Sequence, residues 1–422
     1  MRKKLTIASL VTLCAVPLVM PSKDASAFPV FARKYQTSCY TCHSGFPARN
    51  AFGEAFKNNG YRWPGGEDED HARQEQVKLG SNGWKKVFPE SPWPGDLPGY
   101  APFSAYLQPG LFNWTQSANG AKGQTYWGKM NDARILYAGT IGDNLSIVGA
   151  VEGLGTGNAI TSNLRAVWSF SPGLLLSAGN WASNISGAGS STGGTANVAS
   201  VLPTPGTGVE VSWTKGQTGG FNVVAGVSNN GVNVSSSTDA SPTWKGDTNL
   251  NDLTYVRAKY KLFGSGLLSG AGGVYGNEYN GLDNSLTIGG GAAYARTKDG
   301  TAKLTGSYAG EGLVYGADLL ATYGNFTGGA AVSRDRDLEE TNYIADAGYY
   351  LYPWLYAKVR YSDIYSGSKT GVHNPTFAPS ITAYLRANVY LQATYTAYAR
   401  GHNPSNGTDN ANTFALTAAI GL

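Results

Sequence analysis

The chain has 422 residues, with 32 Lys and Arg against 28 Asp and Glu, and only 14% of its residues are charged. That length allows a large domain, and the near-neutral balance gives no reason to expect a nucleic-acid partner. In residues 100–422 no apolar run is long enough for a membrane helix.

Residues 1–27 have the three parts of a secretory signal. Arg2, Lys3 and Lys4 are followed by an apolar stretch from Leu5 to Met20 and then by Ala25-Ser26-Ala27. The small-x-small pattern predicts cleavage there, with the mature chain starting at Phe28. The signal carries four basic residues and one acidic residue, so its removal brings the net charge from +4 to +1.

Cleavage also removes Cys14 and leaves Cys39 and Cys42 in the run Cys39-Tyr40-Thr41-Cys42-His43. An exported protein could join the two as a disulfide. A zinc site would need about four ligands, and no second cysteine pair exists. The spacing has a more specific use. Each thiol can add to one vinyl group of a haem, and the histidine that follows then lies under the iron. Cys39 and Cys42 are therefore the expected attachment points of one covalent haem c, with His43 as an iron ligand.

Around this motif lie Phe31, Tyr35, Tyr61 and Trp63. The stretch from Arg49 to Asn59 reads as a short helix with Phe52, Ala55 and Phe56 on one face, and Gly60 stands where its C-cap belongs. That apolar face is expected to pack on the haem. The haem segment thus covers residues 28–63. Fewer than about 40 residues rarely fold without help, so the segment needs a wall from elsewhere in the chain. Residues 64–99, rich in Pro, Gly and charge, read as a linker. Its acidic run Glu67-Asp68-Glu69-Asp70 is a solvated stretch or a docking patch for a basic periplasmic cytochrome.

Residues 100–422 alternate. Val256, Ala258, Tyr260 and Leu262 are interleaved with Arg257, Lys259 and Lys261, and Phe414, Leu416, Ala418 and Ile420 with Ala415, Thr417 and Ala419. Period 2 means strands with one apolar face. A soluble sandwich would alternate too. A membrane barrel is favoured by segments of about ten residues and by connections that alternate between short and long. The short ones include Gly142-Asp143-Asn144, Gly264-Ser265-Gly266 and Asp299-Gly300-Thr301, and the long ones 187–207, 233–251 and 366–378. Tyr349, Tyr350, Tyr352 and Trp354 suit an interfacial girdle. The signals give about 18 strands, an even count.

With the apolar positions on lipid, Arg134, Arg165, Arg257, Lys259, Lys261, Lys358 and Arg360 face the lumen against Asp132, Glu152 and Asp318. The lumen is expected to be net basic, which would offset haem propionates. Met130 shares the phase of Asp132 and Arg134 and is a candidate sixth ligand, one that raises the potential. His71 in the linker and an open site are the alternatives. His373 and His402 fall in expected outer loops.

Residues Phe31 to Ser38, the CysXXCysHis run and the stretch Phe46 to Tyr61 together resemble the start of the fused monohaem cytochrome–porins of iron-oxidising bacteria. The resemblance covers about 35 residues. It implies an outer-membrane barrel of 16 strands behind an N-terminal cytochrome. It also implies electrons taken from extracellular Fe(II) and passed to periplasmic cytochrome c, and Cys39, Cys42 and His43 as the haem-binding residues.

The expected architecture is mostly β: an outer-membrane barrel of 16–18 antiparallel strands at residues 100–422, set in lipid, with a small α-helical monohaem cytochrome segment in its lumen. The alternatives are a general electron conduit, a haem enzyme such as a peroxidase, and a solute porin carrying a cytochrome.

Overall fold

The computed structural model describes residues 29–65 and 102–421, apart from positions 36, 38, 46, 47, 374, 387 and 410 and the segments 117–123, 156–159, 181–206, 230–251, 270–282, 297–310, 337–339, 367–371, 400–401 and 404–407. The expected signal, His71 and nearly all of the expected linker lie outside the described residues. So do Asp299-Gly300-Thr301 and most of the long connections expected at 187–207 and 233–251.

The alternating stretches form sixteen antiparallel strands. β1 is Phe103–Thr115, β2 Gln124–Ile141, β3 Leu145–Glu152 and β4 Thr161–Ser171. β5 is Leu174–Gly179, β6 Gly208–Lys215, β7 Thr218–Asn229 and β8 Asp252–Ser265. β9 is Ser285–Arg296, β10 Glu311–Tyr323, β11 Phe326–Asp335 and β12 Glu340–Tyr352. β13 is Leu355–Ser366, β14 Thr376–Arg386, β15 Val389–Tyr398 and β16 Thr413–Gly421. Each strand pairs with its sequence neighbours, and β16 pairs with β1, Gly421 opposite Tyr106 and Thr413 opposite Thr115. The sheet therefore closes and leaves no strand edge unpaired, which a span through lipid requires.

Sixteen replaces the eighteen that alternation alone suggests. Strand length explains part of the surplus: β2 runs unbroken for 18 residues, and a period-2 pattern cannot tell one such strand from two short ones. Two smaller pairings sit at the end with the long connections. Val372–His373 extends the ladder on β13, and His402–Asn403 pairs with Thr408–Asp409. His373 and His402 are thus in the outer connections.

The two faces of the wall differ as the alternation requires. On β6, Val209, Val211 and Trp213 are exposed on the outside while Glu210, Ser212 and Thr214 between them are buried inside. On β8, Val256, Tyr260 and Leu262 are outside and Arg257, Lys259 and Lys261 inside. Exposed Phe170, Tyr323, Phe326, Tyr349, Tyr352 and Trp354 gather near the tight turns, forming an aromatic belt. Tyr350 departs from the expected girdle. It points inward, only 3% exposed, into a cluster with Tyr106, Tyr384 and Tyr390.

Gly142-Asp143-Asn144 is the tight turn expected, with Gly142 at φ 54°, a left-handed position that glycine fills without strain. Gly264-Ser265-Gly266 is not a reversal. β8 continues through Ser265, and the chain then lies along the β6–β7 turn, Leu267 N–H bonding Gly219 O and Leu268 N–H bonding Gly216 O. The next strand among the described residues starts at Ser285.

Candidate functional site

The N-terminal residues build a small unit of their own. Helix α1 is Pro29–Lys34 and helix α2 is Ala51–Asn58. Between them come a 3₁₀ turn, Cys39–Thr41, and a hairpin of His43–Gly45 with Ala48–Arg49. Asn50 ties the cysteine turn to α2. Its Oδ1 caps the helix by accepting from Gly53 N–H at 3.0 Å. Its Nδ2 donates to the carbonyls of Tyr40 (2.9 Å) and Thr41 (3.2 Å), and its own N–H bonds Cys42 O at 3.0 Å. The helix lies so close to the turn that a Cβ on Gly53 would sit 2.0 Å from Cys42 O. Only glycine fits there.

Cys39 and Cys42 are thiols, not joined to each other. Burial pushes both up to about 12, so they stay protonated. His43 is buried, with its Nδ1 3.1 Å from Ala48 O. A histidine whose Nδ1–H is given to a carbonyl is the tautomer that would ligate a metal through Nε2. Six aromatic residues converge beside it. Phe31 meets Phe56 at 5.1 Å and stacks on Tyr61 at 5.9 Å. Trp63 meets Phe52 at 4.8 Å and Tyr35 at 5.2 Å, and Cys42 packs against the cluster. Phe52 and Phe56 are the pair that helical spacing placed on one face, and Phe31, Tyr35, Tyr61 and Trp63 are the aromatics that flank the motif in sequence. Tyr61 holds a positive φ of 63°, a strained position for a bulky side chain. The donor set, two thiols and a histidine oriented by a carbonyl against an apolar aromatic wall, fits a covalently attached haem. Among the described residues no three His, Cys, Asp or Glu side chains converge as a metal cluster of their own.

This unit is bonded to inward-facing groups at the tight-turn end of the barrel. Val30 N–H donates to Ser104 Oγ (3.1 Å), and Lys34 Nζ to Thr140 Oγ1 (2.8 Å). Asn58 Nδ2 donates to Leu267 O (3.0 Å), and Arg62 to the carbonyls of Gly142 (2.7 Å) and Leu145 (3.1 Å). Lys259 Nζ bonds Glu54 Oε1 at 2.5 Å. Ala138 and Val148 of the wall join the aromatic cluster.

Several inner cations that the alternation identified pair with carboxylates that it did not, and two, Arg257 and Arg134, with ones that it did. Arg165 pairs with Glu210 at 2.5 Å, Lys261 with Asp283 at 2.9 Å, and Arg360 with Asp346 at 2.9 Å. Arg257 pairs with Asp318, and Arg134 with Asp132 and Glu152. Glu210, Asp283 and Asp346 offset the expected basic excess, so the wall is closer to balanced than net basic. The surplus cations sit on the N-terminal unit. Burial pushes Glu54 up, but Lys259, then Arg49 and Lys57, outweigh it and hold the carboxyl well below its usual range. Burial, reinforced by Arg49, brings Lys57 down to about 7.

Met130 is not brought to this site. β1 and β2 pair Gln108 with Asp132 but Pro109 with Met130, leaving Asn131 as an extra residue. Such a bulge breaks the alternation, so Met130 does not share the phase of Asp132. The aromatic cluster touches β2 at Ala138, and eight residues of strand are roughly 26 Å.

The closed even-numbered barrel with an apolar exterior, an aromatic belt and a polar interior defines an outer-membrane β-barrel. No protein-family model matches the chain, and no curated protein does. Among solved structures it is similar to outer-membrane expressed OmpT of Vibrio cholerae, with 14% identity, 76% of this chain and 97% of that one covered, and a TM-score of 0.44. It is also similar to a triple mutant of the Rh. blastica porin, with 11% identity, coverage of 76% and 99%, and a TM-score of 0.43.

Proposed function

We propose that the chain carries electrons through the outer membrane by one c-type haem, bonded to Cys39 and Cys42 and ligated by His43, in a segment that fills the periplasmic end of the barrel. The observation that carries this reading is the seat of His43. Its Nδ1 is committed to the Ala48 carbonyl, beside an aromatic cluster that continues into the barrel wall.

The haem supplies a one-electron change at its iron. Cys39 and Cys42 fix it to the chain, and His43 offers Nε2. Phe31, Phe52, Phe56, Tyr61 and Trp63 exclude water. Lys259, Asn58 and Arg62 hold the segment to the wall. An apolar band about 25 Å tall insulates the two sides of the membrane, and a carrier seated among the strands shortens that gap where one hung below would not.

The barrel by itself supports the broader form of this reading, a conduit or porin-like channel not specific for iron. The resemblance of the N-terminal residues to cytochrome–porins supplies the narrower form, with extracellular Fe(II) as donor and a periplasmic cytochrome c as acceptor. Spectroelectrochemistry of the purified protein with added Fe(II) separates them. Rapid reduction of the haem supports the iron reading. A potential too low for Fe(II) to reduce it leaves the general conduit. Protein that carries no covalent haem after export sinks both electron-transfer readings and leaves a porin-like channel.

A further inference from the structure

Four cations meet beside the aromatic cluster: Arg49, Lys57, Lys259 and Arg165. Two carboxylates face them, Glu54 on Lys259 and Arg49, and Glu210 on Arg165. The members on the wall are deeply buried, Arg165, Lys259 and Glu210 each exposed by 6% or less, and Arg49, Glu54 and Lys57 are partly buried. Lys57 takes part in no hydrogen bond or ion pair of its side chain among the described residues. Among the described residues these cations outnumber their carboxylates by two, in a place where an uncompensated charge costs several kcal/mol.

Their position ties them to the haem-binding turn. Arg49 is the cross-strand partner of His43. Lys57 follows Phe56, which lines the aromatic cluster, by one residue. Tyr61 joins the two sets. Its ring stacks on Phe31, and its hydroxyl feels Arg165 and Arg49. An apolar aromatic cluster edged by cations that outnumber their carboxylates matches a flat apolar ligand with two carboxylates on one edge.

We propose that Arg49 and Lys57, backed by Lys259 and Arg165, bind the two propionate carboxylates of the haem held at Cys39, Cys42 and His43. This rests on the function proposed above. The same cations would also accept a free dianion such as phosphate. In the haem-bound protein the carboxylates cancel the surplus charge, and the cations in turn disfavour the oxidised, more positive haem. Arg49, Glu54, Lys259 and Arg165 are the charged groups that face Lys57, so replacing Lys57 removes one charge and no bond.

The test is the midpoint potential of the haem-loaded protein, measured for the wild type, Lys57→Gln and Lys57→Arg, each with and without inorganic phosphate. The expected result is a lower potential for Lys57→Gln, up to a tenfold fall in the reduced-to-oxidised ratio (59 mV for one electron). Lys57→Arg is expected to stay near the wild type, and phosphate to have no effect. An unchanged potential in Lys57→Gln overturns the proposal. A wild-type potential that moves with phosphate, and a variant that does not, overturns it in favour of a free-anion site. Heat-dependent gel mobility confirms that each variant retains the folded barrel. Absence of covalent haem in the wild type counts against the function and not against this site alone.

Discussion

Lys259 Nζ on β8 bonds Glu54 Oε1 on α2 at 2.5 Å, across 205 residues of chain. It is an ion pair between the N-terminal unit and the wall, and Arg49 holds the same carboxylate from the other side at 3.2 Å. Removing Lys259 takes away the nearer of two cations on a largely buried carboxylate and leaves Arg49 to compensate it, so the cost lies below the roughly 3–5 kcal/mol of a fully orphaned buried charge. Lys259→Ala should therefore loosen residues 51–58 while the barrel stays closed. Hydrogen exchange would show faster exchange in α2 and unchanged protection in β8 to β13. Equal protection of α2 in the two proteins would mean that the pair does not hold the unit.

The same cluster sets a pH dependence with two limbs, both rising with pH. Glu54 is held below its ordinary range, so it stabilises the folded unit above the usual carboxylate pKa. That contribution is lost as pH falls through the depressed value. Lys57 is lowered from 10.5 to about 7, so below about 7 the folded state bears the whole penalty of its buried charge. Between about 7 and 10.5 the unfolded state binds more protons, and stability rises with pH. Thermal unfolding of the haem-free N-terminal unit should shift upward across that window, and Lys57→Gln should flatten the upper limb. A wild-type curve that is flat from 7 to 10 would contradict it.

The haem-attachment turn depends on two residues that carry no chemistry. Gly53 lies against Cys42 O, where a Cβ would be 2.0 Å away, and Asn50 caps α2 while holding the Tyr40 and Thr41 carbonyls. Loss of such a cap costs about 1 kcal/mol in helix stability. Gly53→Ala should lower covalent haem incorporation severely, and Asn50→Ala more mildly, both read by haem absorbance per protein. Wild-type haem content in Gly53→Ala would show that the turn can shift without loss.

The barrel was legible because lipid on one side and a polar lumen on the other write period 2 into every strand. Arg257, Lys259 and Lys261 were placed inside from sequence for that reason. Which carboxylate each one meets was not, even for Arg257 and Asp318, because strand register decides what lies across, and register is invisible in one sequence. Arg165 finds Glu210 through β4, β5 and β6, 45 residues on. Tyr350 was misassigned because one step of parity separates a girdle tyrosine from an inner one. In the N-terminal unit, Phe52, Ala55, Phe56 and Gly60 were readable from helical spacing and capping. Gly53 was not, since a helical glycine reveals its purpose only when the neighbouring backbone is in place.

Met130 marks the cost of assuming unbroken alternation. Asn131 is the extra residue in the β1–β2 ladder, and Met130 stands opposite Pro109 on its far side. Met130→Ala should leave the haem absorption spectrum and potential as they are in the wild type. A displaced potential or a lost ligand band would restore methionine ligation, and the strand would then have to shift its register in the haem-bound protein.

The N-terminal unit also bears on what passes through the barrel. Sixteen strands enclose a channel wide enough for water and small solutes. Val30, Lys34, Glu54, Asn58 and Arg62 all bond groups at the tight-turn end, from β1 and β2 to β8 and the connection after it. Bonds spread over that arc suit a unit lying across the opening better than one tethered at a single point. In planar bilayers the full chain should conduct poorly, and a chain lacking residues 29–63 should show large steady ion currents. Deletion removes Lys57 and Glu54 together, so it also leaves Lys259 without its partner, and the open channel should favour anions. Equal conductance with and without the segment would mean that the lumen is open beside it, and a solute porin carrying a cytochrome would then be the better description.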